Sequence, residues 1–167
     1  MALVARVVDE VMAGDGGKTI AIGADHGGFE LKEFLKTHLE NRGIEVADMG
    51  CYSPESVDYP DIALAVARQV ATGGAEKGIL LCGTGIGISI TANKVNGIRA
   101  ALCHDHFTAK MSAAHNNANV LALAGKYTPE DKLEQLVRHM VAIGAHAHHA
   151  SGVEHGLSAA ARETLGE

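Results

Sequence analysis

The chain has 167 residues, and its hydrophobic content of 47% is enough for the core of one compact domain. The net charge of -6 comes without any basic run, which argues against nucleic acid or an anionic membrane surface as a partner. No stretch reaches the ~18 apolar residues of a membrane span, and no signal peptide is visible.

Cysteine usage and histidine spacing bear on metals and on the cellular compartment. The three cysteines are odd in number and lack the spacing of metal ligands, which predicts a reduced, cytoplasmic setting. Two histidine groups, one flanking Asp105 and one within 146–149, also lack a recognised ligand spacing. We expect no metal site here, with Asp105 capping a helix and the histidines exposed.

Residues 1–17 predict an N-terminal extension helix. Their apolar side chains recur at helical spacing and stop before Gly14. These side chains are Leu3, Val4, Val7, Val8, Val11 and Met12. We expect the helix to dock this stripe on the domain or on a second subunit.

Strands and helices alternate through residues 18–145, which we predict to form one α/β domain. The predicted strands are Ile20–Gly23, Ile44–Asp48, Ile79–Cys82, Arg99–Cys103 and Asn119–Ala124. A further helix is predicted from Thr128, which supplies a capping hydroxyl before a proline. Five strands alternating with helices predict a doubly wound parallel sheet. Residues 146–167 are expected to form a loop and a last helix that packs on a partner subunit.

The third strand and the loop after it organise the rest of the chain. The four apolar residues Ile79–Cys82 are bounded by glycines and are too few for a helix, which favours a strand buried on both faces. Gly83, Gly85 and Gly87 then free the backbone to approach a ligand closely. Because the first amides of the next helix lack partners, we predict that this loop holds an anion.

Polar groups from other elements are predicted to join this loop. Asp25 and His26 follow the first strand, and His115 and Asn116 close the helix after the fourth. In a doubly wound sheet ligands bind at the carboxyl ends of the strands, so we expect the ends of strands one, three and four to border one crevice.

Cys82 is the candidate for chemistry in this crevice. Its thiol meets a loop of free amides, an arrangement that makes a cysteine a usable base or nucleophile. The residues alone leave equally open that Cys82 is a buried, inert cysteine. For Asp25 and His26 the alternative is a helix cap and a satisfied histidine.

The glycine loop lacks a nucleotide-binding signature. Gly83–Gly87 does not have G-x-G-x-x-G spacing, and no G-K-[ST] sequence follows it. We therefore expect neither a dinucleotide nor a P-loop nucleotide as the ligand.

Six motifs together resemble one known family. In chain order they are Gly23-Ala24-Asp25-His26-Gly27-Gly28-Phe29, Asp58-Tyr59-Pro60-Asp61, Cys82-Gly83-Thr84-Gly85-Ile86-Gly87, Ala92-Asn93-Lys94, Gly97-Ile98-Arg99-Ala100 and His115-Asn116-Asn117-Ala118-Asn119-Val120. This set resembles the B-type ribose-5-phosphate isomerases, a family that includes subunits of galactose-6-phosphate isomerase. The resemblance implies a metal-free, cofactor-free aldose–ketose isomerase with a Rossmann-like fold. It also implies a homodimer or a dimer of dimers, with sites at the subunit interface.

Such an isomerase must open the sugar ring, move a proton between C2 and C1, and stabilise the enediolate between them. By resemblance Cys82 is the base at C2. Some members place a glutamate further along the loop for this task, where the present chain has Ile88. The amides of Gly83–Gly87 would form the anion hole, assisted by the hydroxyl of Thr84.

The remaining roles fall on the other two polar groups. By resemblance, His115 and Asp25 handle ring opening and His26 contacts the phosphate. Asn116 would bind a sugar oxygen.

The C-terminal segment departs from the family pattern. Members usually carry Gly-Gly-Arg-His and a second arginine three residues later, both arginines gripping the phosphate. This chain reads Ser151-Gly152-Val153-Glu154-His155-Gly156-Leu157, and another family arginine, after strand five, is Lys126 here. We expect His155, His26 and Lys126 to bind the phosphate instead, with Arg162 on the final helix as the alternative.

Two functions from different classes follow from these residues. One is a sugar-phosphate isomerase acting on ribose 5-phosphate or on a tetrose or hexose phosphate. The other is a non-catalytic sugar-phosphate-binding protein, suggested by the missing arginines. Retention of Asp25, Cys82, Thr84 and His115 favours catalysis, because binding alone does not need a thiol.

Overall fold

The computed structural model describes residues 19–126, which form a five-stranded parallel sheet flanked by helices. In chain order the elements are β1 (Thr19–Ala24), α1 (Phe29–Glu40), β2 (Glu45–Asp48), α2 (Tyr59–Ala71), β3 (Lys77–Cys82), α3 (Ile86–Ala92), β4 (Ala100–Leu102), α4 (His106–Asn116) and β5 (Val120–Ala124). The strands lie close to their predicted positions, so the doubly wound α/β prediction is confirmed. The N-terminal extension helix, the helix predicted from Thr128 and the segment 146–167 lie outside the described residues.

The strand order is β2-β1-β3-β5-β4, with every neighbouring pair parallel. Strand β3 is central, with Leu81 opposite Ala24 of β1 and Cys82 opposite Ala124 of β5. In this order β5 lies between β3 and β4, so β4 forms a lateral edge of the sheet, while Leu102 at its carboxyl end still lies against Gly85 of the glycine loop. Local sequence pattern identifies strands but does not set their lateral order.

Burial follows this order of the strands. Strands β1, β3 and β5 are buried along almost their whole length, which is why they carry near-continuous apolar residues. The edge strands β2 and β4 are only partly covered. The central strands therefore provide a rigid base for the loops at their carboxyl ends.

Alternate residues of the central strands face two separate apolar layers. One layer joins β1, β3 and β5 to α1 through Leu31, Leu35 and Leu39, and to α4 through Ala109. The other joins them to α2 and α3, and it contains Cys82. Fully burying one leucine contributes about 1.5–3 kcal/mol, so these layers supply the main favourable term for folding.

Two helix starts follow directly from the sequence. Helix α2 begins after Asp58, which has extended backbone, and has a proline within its first turn. The carboxylate of Asp105 accepts a hydrogen bond from the Thr108 amide at 2.8 Å, which confirms Asp105 as the N-cap of α4. No helix among residues 19–126 is long and apolar enough to cross a membrane.

Candidate active site

The loop after β1 fixes Asp25 against the central strand. The Asp25 amide donates to the Leu81 carbonyl at 3.0 Å, and Asp25 Oδ1 accepts from the Gly27 amide at 2.8 Å. The Gly28 amide donates back to the Asp25 carbonyl at 3.0 Å, which closes the turn. Asp25 is thus a buried carboxylate in a fixed turn, and Gly28 rather than Asp25 caps α1.

The carboxyl end of β3 holds the candidate base. Cys82 is buried, and its Sγ accepts a hydrogen bond from the Gly85 amide at 3.1 Å. Gly85 has φ of 75°, and a Cβ there would lie 2.5 Å from Leu102 Cδ1 and 2.9 Å from the Leu123 carbonyl carbon. Only glycine fits this position, and the backbone it allows directs an N–H at the thiol sulfur.

The glycine loop continues into α3 beside an aromatic side chain. Thr84 is exposed, and its Oγ1 accepts from the Ile86 amide at 3.3 Å. A Cβ on Gly87 would lie 2.5 Å from Cζ and 2.7 Å from Oη of Tyr59, so the phenol ring packs directly on this glycine. The loop therefore has an exposed hydroxyl at Thr84 and a phenol packed on the first turn of α3.

Close backbone contacts bring three loops together. A Cβ on Gly27 would lie 3.0 Å from the Gly83 amide, and one on Gly125 would lie 2.5 Å from the Gly27 carbonyl oxygen. The Gly125 amide donates to the Cys82 carbonyl at 2.7 Å, and the Lys126 amide to the Gly83 carbonyl at 3.5 Å. Asp25, Cys82 and Lys126 thus belong to loops that meet at the carboxyl ends of the central strands.

His26 lies at the border of this site. Its ring is exposed, and Nδ1 is 3.4 Å from both the amide nitrogen and the carbonyl oxygen of Val57. Val57 belongs to the loop between β2 and α2. That loop therefore contacts the predicted phosphate-binding histidine.

In the same chain, His115 and Asn116 do not lie at the carboxyl ends of the strands. Helix α4 runs back across the sheet, and the Asn116 carbonyl accepts from Arg99 Nε at 2.5 Å, immediately before β4 begins. The 11 residues of α4 span about 16 Å. The expectation that His115 and Cys82 border one crevice within a single chain is therefore corrected.

Comparison with known proteins shows which family the chain belongs to. A model of the ribose/galactose isomerase family matches residues 20–154. The chain belongs to this family. It is 51% identical to ribose-5-phosphate isomerase B of Escherichia coli, over 65% of this chain and 73% of that protein. It is 43% identical to D-erythrulose-4-phosphate isomerase of Pectobacterium atrosepticum, over 71% of this chain and 79% of that protein.

A solved structure gives the same result at the level of the fold. Ribose-5-phosphate isomerase B of Clostridium thermocellum superposes with a TM-score of 0.73 at 49% identity, covering 74% of this chain and 83% of that one. The predicted family and the Rossmann-like fold are confirmed. This ribose/galactose isomerase family member is an enzyme, a sugar-phosphate isomerase of the aldose–ketose type.

The other two cysteines of this isomerase are buried as well. Burial raises the pKa of the Cys51 thiol and of the Cys103 thiol, which favours their neutral form at pH 7. All three cysteines are free. Cys51 and Cys103 therefore have the properties of buried, unreactive cysteines.

Several features of this site have no clear signal in the sequence. Tyr59 lies within the Asp58-Tyr59-Pro60-Asp61 motif, but its packing on Gly87 depends on where α2 lies relative to the glycine loop. His155 lies outside the described residues, and within 19–126 no three metal-ligating side chains cluster. Lys32 and Asp48 gave no sequence signal, because a lysine on a helix is normally exposed.

Proposed function

We propose that this isomerase interconverts ribose 5-phosphate and ribulose 5-phosphate through an enediolate, with Cys82 as the base. The observation that carries the proposal is the hydrogen bond from the Gly85 amide to Cys82 Sγ, because it holds the sulfur at the start of the glycine loop, where the substrate would bind. Asp25 is held in the neighbouring loop, whose Gly27 packs against Gly83. A base and a carboxylate therefore act from adjacent loops.

In the proposed reaction Asp25 assists ring opening, and the Cys82 thiolate then removes the proton from C2 of the open aldose. The electrons move into the C1–C2 bond, and the carbonyl oxygen on C1 becomes the enediolate oxygen. Amides of Gly83–Gly87 and the Thr84 hydroxyl stabilise that charge. The thiol returns its proton to C1, while the hydroxyl proton on O2 passes to O1, which gives the ketose.

We also propose a homodimer, or a dimer of dimers, in which each site uses two chains. His115 and Asn116 are exposed at the amino-terminal ends of the strands, away from Cys82, so a second copy supplies them. Ile86 and Ile90, one turn apart on α3, are 52% and 56% exposed beside the glycine loop. Apolar side chains of this size next to a polar site suit burial against a partner subunit.

We propose that His26, Lys126 and His155 bind the phosphate of the substrate. We also propose that the protein acts in the cytoplasm. His26 and Lys126 belong to loops at the carboxyl ends of the strands, where Cys82 lies. The free cysteines support a reduced compartment.

A tetrose or hexose phosphate is the second candidate substrate. The relative from Pectobacterium atrosepticum is named for a four-carbon substrate. The C-terminal segment also lacks the arginines that the family pattern uses for phosphate. The reaction type is the same for both candidates, and only the length of the sugar differs.

Steady-state assays on four-, five- and six-carbon aldose phosphates test this proposal. We expect the highest kcat/KM for ribose 5-phosphate, and a loss of about 10²–10⁴-fold in kcat for Cys82→Ala because the proton-transfer base is gone. Cys103→Ala is the matched control, since its thiol is buried at the end of β4. A higher kcat/KM with the four-carbon substrate would select the alternative, and a fully active, folded Cys82→Ala would refute the thiol base.

A further inference from the structure

Lys32 on α1 is the one lysine among residues 19–126 whose side chain is completely buried, with an exposed fraction of 0%. Its ammonium lies 5.8 Å from the ring centre of Phe29 and 5.6 Å from that of Tyr52. It donates to Asp48 Oδ2 at 2.7 Å and to Glu33 Oε1 at 2.6 Å. A lysine is rarely buried unless it is paired, so this position requires an explanation.

Asp48 links the ammonium to the loop between β2 and α2. While Oδ2 accepts from Lys32 and from Lys36 at 3.1 Å, Oδ1 accepts from the Gly50 amide at 3.0 Å. The Asp48 carbonyl accepts from the hydroxyl of Tyr52 at 3.0 Å. One carboxylate therefore connects α1 to the backbone of the first residues of the loop.

Those residues extend the pairing of β1 up to the site. The Met49 amide donates to the Ile22 carbonyl at 2.8 Å, and the Cys51 amide to the Ala24 carbonyl at 2.7 Å. In return the Ala24 amide donates to the Gly50 carbonyl at 2.7 Å. Ala24 directly precedes Asp25, so residues 49–51 hydrogen-bond to both the N–H and the carbonyl of the residue next to the catalytic carboxylate.

A buried ion pair is weak support for stability, because desolvation offsets its attraction. Its geometric effect is different, because a completely buried ammonium that must stay close to its carboxylates fixes the elements that carry them. Here the fixed elements are α1 and the loop residues 49–51.

We propose that Lys32 is a positioning residue for the isomerisation. Through Asp48 it holds residues 49–51 against the end of β1, and this sets the position of Asp25 beside Cys82. The inference rests on the proposed function, in which Asp25 assists ring opening.

The test compares Lys32→Met with Lys36→Met, both assayed with ribose 5-phosphate under conditions where circular dichroism shows a folded protein. Lys36 lies one turn away and donates to the same Asp48 oxygen, but its side chain is 31% exposed. We expect Lys32→Met to lower kcat/KM by about 10- to 100-fold, because small misplacements of catalytic groups are costly. Lys36→Met should stay within about twofold, because exposed ion pairs contribute little.

The double variant Lys32→Met/Asp48→Asn separates positioning from stability. It leaves no unpaired charge at position 48 and keeps an acceptor for the Gly50 amide, so its Tm should recover toward wild type. We expect kcat/KM to remain low, because the link to α1 is still missing. Recovery of kcat/KM together with Tm, or wild-type kcat/KM in folded Lys32→Met, would overturn the proposal.

Amide hydrogen exchange gives a readout that does not depend on the substrate. The Gly50 and Cys51 amides should exchange faster in Lys32→Met and in the double variant than in Lys36→Met. If wild type isomerises no sugar phosphate, the proposed function fails while exchange still tests the link to the loop. Unchanged exchange at Gly50 and Cys51 in Lys32→Met would overturn the positioning role.

Discussion

Asp48 illustrates how opposing effects decide the charge of a single residue. Burial acts to raise the pKa of its carboxyl, but hydrogen bonds from Lys32, the Gly50 amide and Lys36 together outweigh burial and lower that pKa. The hydrogen bond from Lys36 to Asp48 in turn raises the pKa of the Lys36 ammonium. The ionised carboxylate is therefore the form that the folded protein stabilises.

A carboxyl group whose pKa is lower in the folded state stabilises the fold above its unfolded pKa, and this contribution disappears as the pH falls through the folded pKa. We expect Asp48→Asn to lower the free energy of unfolding by about 3 kcal/mol near pH 7, because it removes the buried one of the two carboxylates that pair with the buried Lys32 charge. The difference from wild type should shrink below about pH 4. Urea denaturation between pH 3 and 8 measures it.

Glu55→Gln is the control for this pH series, since it removes an exposed carboxylate from the loop after β2. A difference between wild type and Asp48→Asn that stays constant from pH 3 to 8 would contradict the charge assignment.

The connection between β3 and α3 depends on one left-handed residue. Gly85 caps α3 at φ of 75° while its amide donates to Cys82 Sγ. Gly97, before β4, has a similar φ of 80° but has open space where a Cβ would point. The two glycines share a left-handed backbone, which would be strained in any other residue, and they differ in close packing.

Gly85→Ala should therefore lower the free energy of unfolding by about 3 kcal/mol, and Gly97→Ala by about 1 kcal/mol. Because the Gly85 backbone must shift away from Leu102, kcat should also fall by about tenfold or more in that variant alone. Urea denaturation and steady-state kinetics provide both measurements. Equal losses in the two variants would mean that the left-handed backbone, rather than the close contact, sets the requirement for glycine.

The topology of the whole molecule separates residues that are close in the proposed chemistry. Helix α4 runs from the carboxyl end of β4 back to the amino-terminal ends of the strands, where it places His115. In one chain, Cys82 thus lies at the carboxyl ends of the strands and His115 at their amino-terminal ends. A dimer that pairs these two ends would contain two composite sites.

Mixing Cys82→Ala and His115→Ala chains should then restore activity. Each mixed dimer has one site with both changes and one intact site, so equal mixing should recover about a quarter of the wild-type rate. The control mixture contains Cys82→Ala and Thr84→Ala chains. Because Cys82 and Thr84 lie on the same loop, every site of this mixture carries one of the two changes, and no activity should be recovered. No recovery with His115→Ala, despite demonstrated subunit exchange, would place both residues in a site formed by one chain.

Local sequence determined much of this structure. A short apolar run bounded by glycines predicted β3, because a strand buried on both faces needs continuous apolar residues. Asp105 was predictable as a cap, since its side chain satisfies an amide within its own turn. The meeting of the Asp25 loop with the glycine loop after Cys82 was predictable, because parallel strands collect their following loops at their carboxyl ends.

Tertiary structure decided what depends on distant parts of the chain. One such feature is the lateral order of the strands, in which β5 lies between β3 and β4, because it follows from how the helices cross the sheet. The same crossing placed His115 at the amino-terminal ends of the strands. The burial of Lys32 required Asp48, 16 residues away, to meet it in space. Such partners leave no periodic signal in the sequence, because a charge is stabilised by what surrounds it in three dimensions.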